Sequence, residues 1–264
     1  MDFAAATTPR KVAPGEYLHE IPDGWQQGPG AFGGLVLGLL ARTALDLEND
    51  PARPFRCISG AVLAPVVVGE ARLTARLLRR GTGLSAINVQ LEQQGQLAAT
   101  ADVVCAKARV SDGDWCELTP PKLPDWKGME PAPVGPPLGP VFTPHFEYRP
   151  VGPPLYSKQP RAEAHGWIRA RQPGPRCDVP LVVALTDAWW PAPYSRFSAP
   201  RPMSTVAFTL QLFMDPSTLD LAEPLAYRAS NPVAAGGYTL ELRELWTADG
   251  RPVTQNQQTF VMIK

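Results

Sequence analysis

The sequence predicts an α+β fold in which one unit, a helix followed by an antiparallel meander, occurs twice. Three observations predict it. An apolar stretch with helical spacing occurs once in each half, and prolines stop both. Each stretch precedes a set of strand-like runs. The halves also place a glycine turn at matching points, Gly95 in "QQGQL" and Gly250 in "TADGRPV", 155 positions apart. Repetition of helix-then-strands, without βαβ alternation, signals a duplicated α+β unit.

The first helix is expected from near Phe32 to about Asn49, with Pro51 and Pro54 ending it. Glycines at 33, 34 and 38 should let it lie close to strand backbones. Four strand-like runs follow: "RCISGAVLAPVVV", "EARLTARLLRRG", "LSAINVQLEQQ" and "QLAATADVVCAKARV". Between residues 118 and 160 there are 13 prolines, a density that excludes regular helix and disfavours central strands. That stretch reads as an extended connector laid over the surface. In the second half "DVPLVVALTDAWWPAPYS" is a short apolar helix stopped by Pro191 and Pro193. "MSTVAFTLQLFMD", "EPLAYRASNPVAAG", "GYTLELRELWTADG" and "RPVTQNQQTFVMIK" then repeat the meander, with Asp249-Gly250 as a tight-turn pair. The expected organisation is 1–117, a connector at 118–160, and 161–264.

Gly28, Gly30 and Gly33 spell the G-x-G-x-x-G dinucleotide fingerprint. That motif needs a hydrophobic strand directly before its first glycine. Here the preceding "IPDGWQQ" is polar and turn-like, so the sequence argues against a dinucleotide. Lys plus Arg and Asp plus Glu are both 25, so nothing points to a nucleic-acid groove or an anionic membrane. No apolar run reaches the roughly 20 residues of a membrane span, and "MDFAAATTPRKVAPGEY" lacks the apolar core of a secretory signal. Cys57, Cys105, Cys116 and Cys177 are scattered, and read as reduced, mostly buried thiols of a cytoplasmic protein without a zinc site.

"GPGAFGGLVLGLLARTA" and "FRCISGAVLAPVVVGEARLTARLLRRGTGLSAINVQLEQQGQLAATADVV" resemble the N-terminal half of acyl-CoA thioesterase II. "VVALTDAWWP", "RPMSTVAFTLQLF" and "PVTQNQQTFVMIK" resemble its C-terminal half. The resemblance covers about residues 20–110 and 160–264, and implies a double hotdog: two fused units, each an antiparallel sheet wrapped around a helix. It implies hydrolysis of acyl-CoA by a water held by an Asp, a Thr or Ser, and a Gln. By position these are Asp187, Thr205 and Gln258. It implies no cofactor. Trp189 and Trp190 stand where that family usually has smaller residues, which implies a short or unusually shaped substrate pocket. Three glutamines crowd the last strand, and a slip of one residue would turn Gln257 inward instead of Gln258.

Asp187 is informative by itself. It is the sole carboxylate between Leu181 and Trp190. Buried there, it would cost several kcal/mol unless paired. Its residues alone leave a second placement open, on the solvent face near the helix end. As a general base, Asp187 would take a proton from water. Thr205 and Gln258 would orient that water, and neither can deprotonate it. A thiolate leaving group needs no strong general acid, since a thiol pKa is roughly 8.5. The oxyanion needs donors, which the backbone N–H groups of Gly33 and Gly34 at a helix start would supply. With no acid from Phe32 to Ala44, one active site per chain is expected.

Other chemistries fit less well. Hydratases of this fold need a His, and His19, His145 and His165 lie in neither helix. No G-x-S-x-G elbow occurs. Two other classes remain: a non-catalytic acyl- or aryl-thioester binding protein, and an oligomerising scaffold. Outer sheet edges suggest a homodimer or larger homo-oligomer. Arg72, Arg76, Arg79 and Arg80 form a basic run that is either a solvated strand face or a contact for CoA phosphates.

Overall fold

A computed structural model describes residues 1–263. A turn of helix, α1 (Phe3–Ala6), precedes strands β1 (Arg10–Ala13) and β2 (Glu16–Ile21) and a small hairpin, β3 (Gln26–Gln27) with β4 (Gly30–Ala31). Helix α2 (Gly33–Glu48) leads into β5 (Phe55–Val62), β6 (Gly69–Arg80), β7 (Leu84–Gln93) and β8 (Gln96–Ala106). After a long irregular stretch come β9 (Phe146–Gly152), β10 (Glu163–Ala170) and helix α3 (Val179–Asp187). The chain ends with β11 (Met203–Leu212), β12 (Leu225–Ala235), β13 (Tyr238–Trp246) and β14 (Pro252–Met262).

Local chemistry sets these bounds. Asn49 closes α2 in the left-handed region at φ +45, a conformation its short polar side chain tolerates. On β6 the inward residues are Ala71, Leu73 and Ala75, with Glu70, Arg72 and Arg76 facing out. Gln94 and Gly95 both have positive φ, as a two-residue type I′ hairpin requires. At the matching turn only Gly250 is left-handed, and its N–H bonds Thr247 O at 3.0 Å.

Twelve strands form one antiparallel sheet in the order β1-β2-β6-β7-β8-β5-β11-β14-β13-β12-β10-β9. The repeat is visible in that order. β2-β6-β7-β8-β5 on one side corresponds to β10-β12-β13-β14-β11 on the other, and β5 pairs with β11 to join them. α2 and α3 pack against each other inside the sheet, and the larger of two apolar clusters draws on both halves.

Three expectations change here, and two strands are added to the sequence reading. The glycines of α2 bring it close to α3 rather than to strands: a Cβ on Gly34 would meet Ala184 Cα at 2.9 Å, and one on Gly38 would meet Pro180 O at 3.0 Å. The connector does not merely overlie the surface. Its end supplies edge strand β9, and Phe142 is buried with its ring stacked on Phe32 at 4.1 Å. Strands β2 and β10, which open each repeat, carry too little alternation to stand out. Of the thiols, Cys105 and Cys177 are buried, Cys57 is half-buried and Cys116 is exposed.

The three fingerprint glycines have separate structural reasons. Gly28 turns the β3–β4 hairpin at φ +67. A Cβ on Gly30 would strike Val66 N at 2.9 Å, and Gly33 starts α2. The outer edges are blunted. Ala132 N–H bonds Tyr148 O across β9 at 2.8 Å, and β1 carries Arg10 and Lys11. None of the described helices is long and apolar enough to cross a membrane.

Candidate active site

Asp187 is the last residue of α3, and the apolar helix carries it inward, leaving it 7% exposed. Gln258 donates from Nε2 to Asp187 Oδ1 at 2.9 Å, and Thr205 Oγ1 donates to Gln258 Oε1 at 3.2 Å. A carboxylate only accepts, so Asp187 fixes which end of the Gln258 amide faces it. The amide oxygen is then left for Thr205, whose hydroxyl must be the donor. The three residues singled out in the sequence thus form one hydrogen-bonded chain. Gln258 is buried and Gln257 exposed, which settles the register.

Two local features aim these groups. β11 carries a bulge between Thr205 and Ala207, and the extra residue turns Thr205 toward the helix. The first turn of α2 approaches the same point: a Cβ on Gly33 would lie 2.8 Å from Asp187 Oδ2 and 3.8 Å from Thr205 Oγ1. Phe32, the residue before that helix, provides no side-chain cap, so its first-turn N–H groups have no side-chain acceptor from it.

A cavity of about 280 Å³ adjoins the site. Asp187, Thr205 and Arg243 line it, with Trp189, Trp190, Tyr156, Tyr194 and Phe260 among its aromatic walls. Trp189 is 2% exposed and stacks on Tyr227 at 4.7 Å, while Trp190 is half-buried. Gly34 is sealed between α2 and α3 and does not line the cavity, nor does the fully buried Gln258. Gln258 is therefore bonded to both Asp187 and Thr205 from behind the cavity wall.

Sequence reasoning missed Arg243 and Glu241. Arg243 is 1% exposed and donates from Nη1 to Asp187 O (2.9 Å), Thr186 O (3.2 Å) and Asp187 Oδ1 (3.3 Å). It caps the C-terminus of α3, where carbonyls lack helical partners. Its Nε donates to Glu241 Oε1 at 2.8 Å, and Glu241 Oε2 accepts from Ala192 N at 2.9 Å. Burial pushes the Glu241 carboxyl up, with the Arg243 charge opposing it. Burial alone would lower the Arg243 pKa, but Tyr227, Glu241 and Asp187 around it raise it. Tyr148 adds a further helix-end bond, from its hydroxyl to Ala188 O at 3.0 Å. In "TLELR" the alternation favours burial of Leu240 and Leu242. The structure instead buries Thr239, Glu241 and Arg243 and leaves those two leucines half-buried. The available signal was opposite charges two residues apart, and hence on one strand face.

Family comparison agrees with this architecture. Residues 21–111 match the acyl-CoA thioesterase N-terminal domain, and residues 118–262 match the acyl-CoA thioesterase C-terminal domain. Among solved structures, a conserved protein of unknown function with hot dog fold from Alicyclobacillus acidocaldarius is similar at TM-score 0.88 and 21% identity, covering 99% of this chain and 98% of that one. A tesB protein of Mycobacterium avium subs paratuberculosis follows at TM-score 0.81 and 16% identity, with 99% and 98% covered. An acyl-CoA thioesterase II of Mycobacterium marinum gives TM-score 0.79 and 16% identity, again with 99% and 98% covered. No curated protein matches the chain. With both halves matched in order across nearly its whole length, the chain belongs to the acyl-CoA thioesterase family.

Proposed function

We propose that this chain is a double hotdog hydrolase that cleaves an acyl-CoA thioester to the free acid and CoA at one site. The units are 1–117 and 161–264, joined by 118–160. One observation carries the reading: Asp187 is a nearly buried carboxylate, anchored through Oδ1 by Gln258 and Arg243, that still lines a cavity beside Thr205.

The hydrogen-bond polarity supports the following roles. Oδ1 is engaged, so Oδ2 is the basic oxygen. The Thr205 hydroxyl donates to Gln258, so its lone pairs remain to accept. A water donating one hydrogen to Oδ2 and the other to Thr205 keeps an oxygen lone pair for the thioester carbonyl. As the C–O bond forms, Asp187 takes the proton. First-turn N–H groups of α2, foremost that of Gly33, stabilise the oxyanion, while Gly34 holds the helices close enough for this. Collapse breaks the C–S bond, and the thiolate recovers the proton from Asp187. Trp189 and Trp190 shape the acyl pocket. The protein acts in the cytoplasm and associates as a homodimer or larger oligomer.

A thiol-release assay across acyl-CoA chain lengths tests this. Wild type turns over, and Asp187→Asn loses about 10²-fold or more in kcat, the usual scale for a general base. Tight acyl-CoA binding without turnover in wild type would instead establish a non-catalytic thioester-binding protein. No acyl-CoA-induced stabilisation would leave only a scaffold.

A further inference from the structure

We infer that the outer face of the five central strands, β7-β8-β5-β11-β14, is where a second copy of this chain stacks, sheet against sheet. The inference rests on the reading that the chain self-associates, and goes beyond it by assigning the surface. Helices α2 and α3 lie against the inner face of the sheet. The outer face changes character along its width. Over β10, β12 and β13 the connector roofs it: Leu123, Trp126 and Met129 pack on Trp167, Ala226 and Trp246, and Trp167 Nε1 donates to Pro124 O at 3.0 Å. Toward the other end β6 is charged, with Arg72, Arg76 and Arg79 exposed. Between the roof and the arginines the face is open and almost free of charge.

Segments 86–90, 100–104, 57–61, 207–211 and 255–259 run side by side there, and Asp102 is their one charged residue. Asp102 is already engaged, accepting from Asn88 Nδ2 at 2.8 Å. Ser59, Ala207, Gln211 and Gln257 are exposed. A solvated surface carries charge at about a quarter to a third of its positions, whereas the centre of a protein interface is depleted in it. Beside this window Val233 is exposed opposite Leu240, and Leu240 and Leu242 turn outward, half-buried. The occupant that matches is the chain itself. Without a cluster of cations the window offers nothing to nucleic acid or an anionic membrane. Glutamine amides both donate and accept, so Gln211, Gln255 and Gln257 can pair with their own equivalents across a two-fold axis. The middle of the window is the β5–β11 joint of the repeat, where Ser59, Ala61 and Ala207 are small enough for two sheets to reach the usual spacing of about 10 Å. The seven strands from β7 to β12, about 4.8 Å apart with five residues each at about 3.4 Å, cover roughly 570 Å² per copy. A specific interface needs about 500 Å² per partner.

Sedimentation velocity of the full chain tests this. Wild type at micromolar concentration should have at least twice the chain mass. It should keep that mass in about 1 M salt, because the window makes almost no use of charge. Ser59→Lys and Gln257→Lys each place a cation in the window at an exposed position. Each should raise the dissociation constant about 100-fold or more, since the ammonium is buried there without a partner. Mixing Ser59→Lys with Ser59→Glu should restore the wild-type mass, which also shows that both variants fold. Arg72→Gln, outside the window, should leave the mass unchanged. A wild-type monomer overturns the self-association reading and this inference together. A wild-type oligomer that both lysine variants retain, or that dissociates in salt, overturns this inference alone. Neither result bears on the hydrolase reading, which the thiol-release assay decides.

Discussion

The two helices occupy corresponding places in the repeat, yet they end in opposite ways. α3 begins well capped: Asp178 accepts from Leu181 N at 3.0 Å and pairs with Arg42 of α2 at 2.9 Å. α2 begins with no side-chain cap, against Asp187. At the other ends, α2 runs 16 residues to the buried Glu48, and α3 stops after 9 at the buried Asp187. Glu48 is held only by charge proximity, with Arg80 at 3.1 Å and Arg53 at 3.7 Å, neither aligned as a hydrogen bond. Asp187 is anchored through one oxygen and lines a cavity. The lesson is one of division. One copy contributes a bare helix start, the other a helix cut short at an acid, and the site forms where they meet.

Breaking the Asp187 anchor should have the largest effect. Arg243→Met leaves Glu241 and Asp187 without their shared cation, and should cost about 3–5 kcal/mol in a denaturant titration, as loss of one buried partner typically does. An unchanged midpoint would mean that α3 holds its acid without this cap. The helix contact comes next. In Gly34→Ala the new methyl would meet Phe32 Cε2 at 2.5 Å and Ala184 Cα at 2.9 Å. We expect a loss of about 1–3 kcal/mol, typical of overpacking, together with reduced turnover because Asp187 shifts. Full activity in that variant would separate helix spacing from chemistry.

The sheet edges extend the comparison. β1 is a charged edge, whereas β9 is tied inward by Glu147, which contacts Arg149 and Arg169. Burial would raise the Glu147 pKa, but the Arg169 and Arg149 bonds and charges outweigh it and lower it. Its stabilising contribution is therefore present above the ordinary Glu pKa of about 4.3 and is lost as pH falls through its lowered native value. Glu147→Gln should be less stable than wild type at neutral pH, with the gap closing in acid. A gap independent of pH would mean that the charge is not what holds β9. The smallest effect should come from the α2 counterpart of the buried acid. Glu48→Gln should keep kcat within about twofold, since its group does not line the Asp187 cavity. A large loss would give the buried acid of the first copy a part in the reaction.

Much of this was legible in the residues. The helices, the two meanders and the matched hairpins follow from local periodicity and turn chemistry, which depend on neighbours in the chain. Asp187 stood out because a lone acid in an apolar helix needs a partner. Its partner did not, because Arg243 lies in a strand whose alternation favours the opposite face. Gly33 and Gly34 looked alike in sequence. One borders Asp187 Oδ2 and the other is sealed in a helix contact, a difference of about 100° around α2.

The sequence by itself determined the duplicated α+β plan and singled out the acid, because periodicity, turn residues and a misplaced charge are local signals, while the hydroxyl and the amide followed from the resemblance to acyl-CoA thioesterase II. Only the tertiary structure decided which groups restrain that acid, which glycine faces it, and that the end of the proline-rich connector becomes an edge strand. Those outcomes depend on contacts between elements far apart in the chain, where burial and pairing override the preference of any single strand or turn.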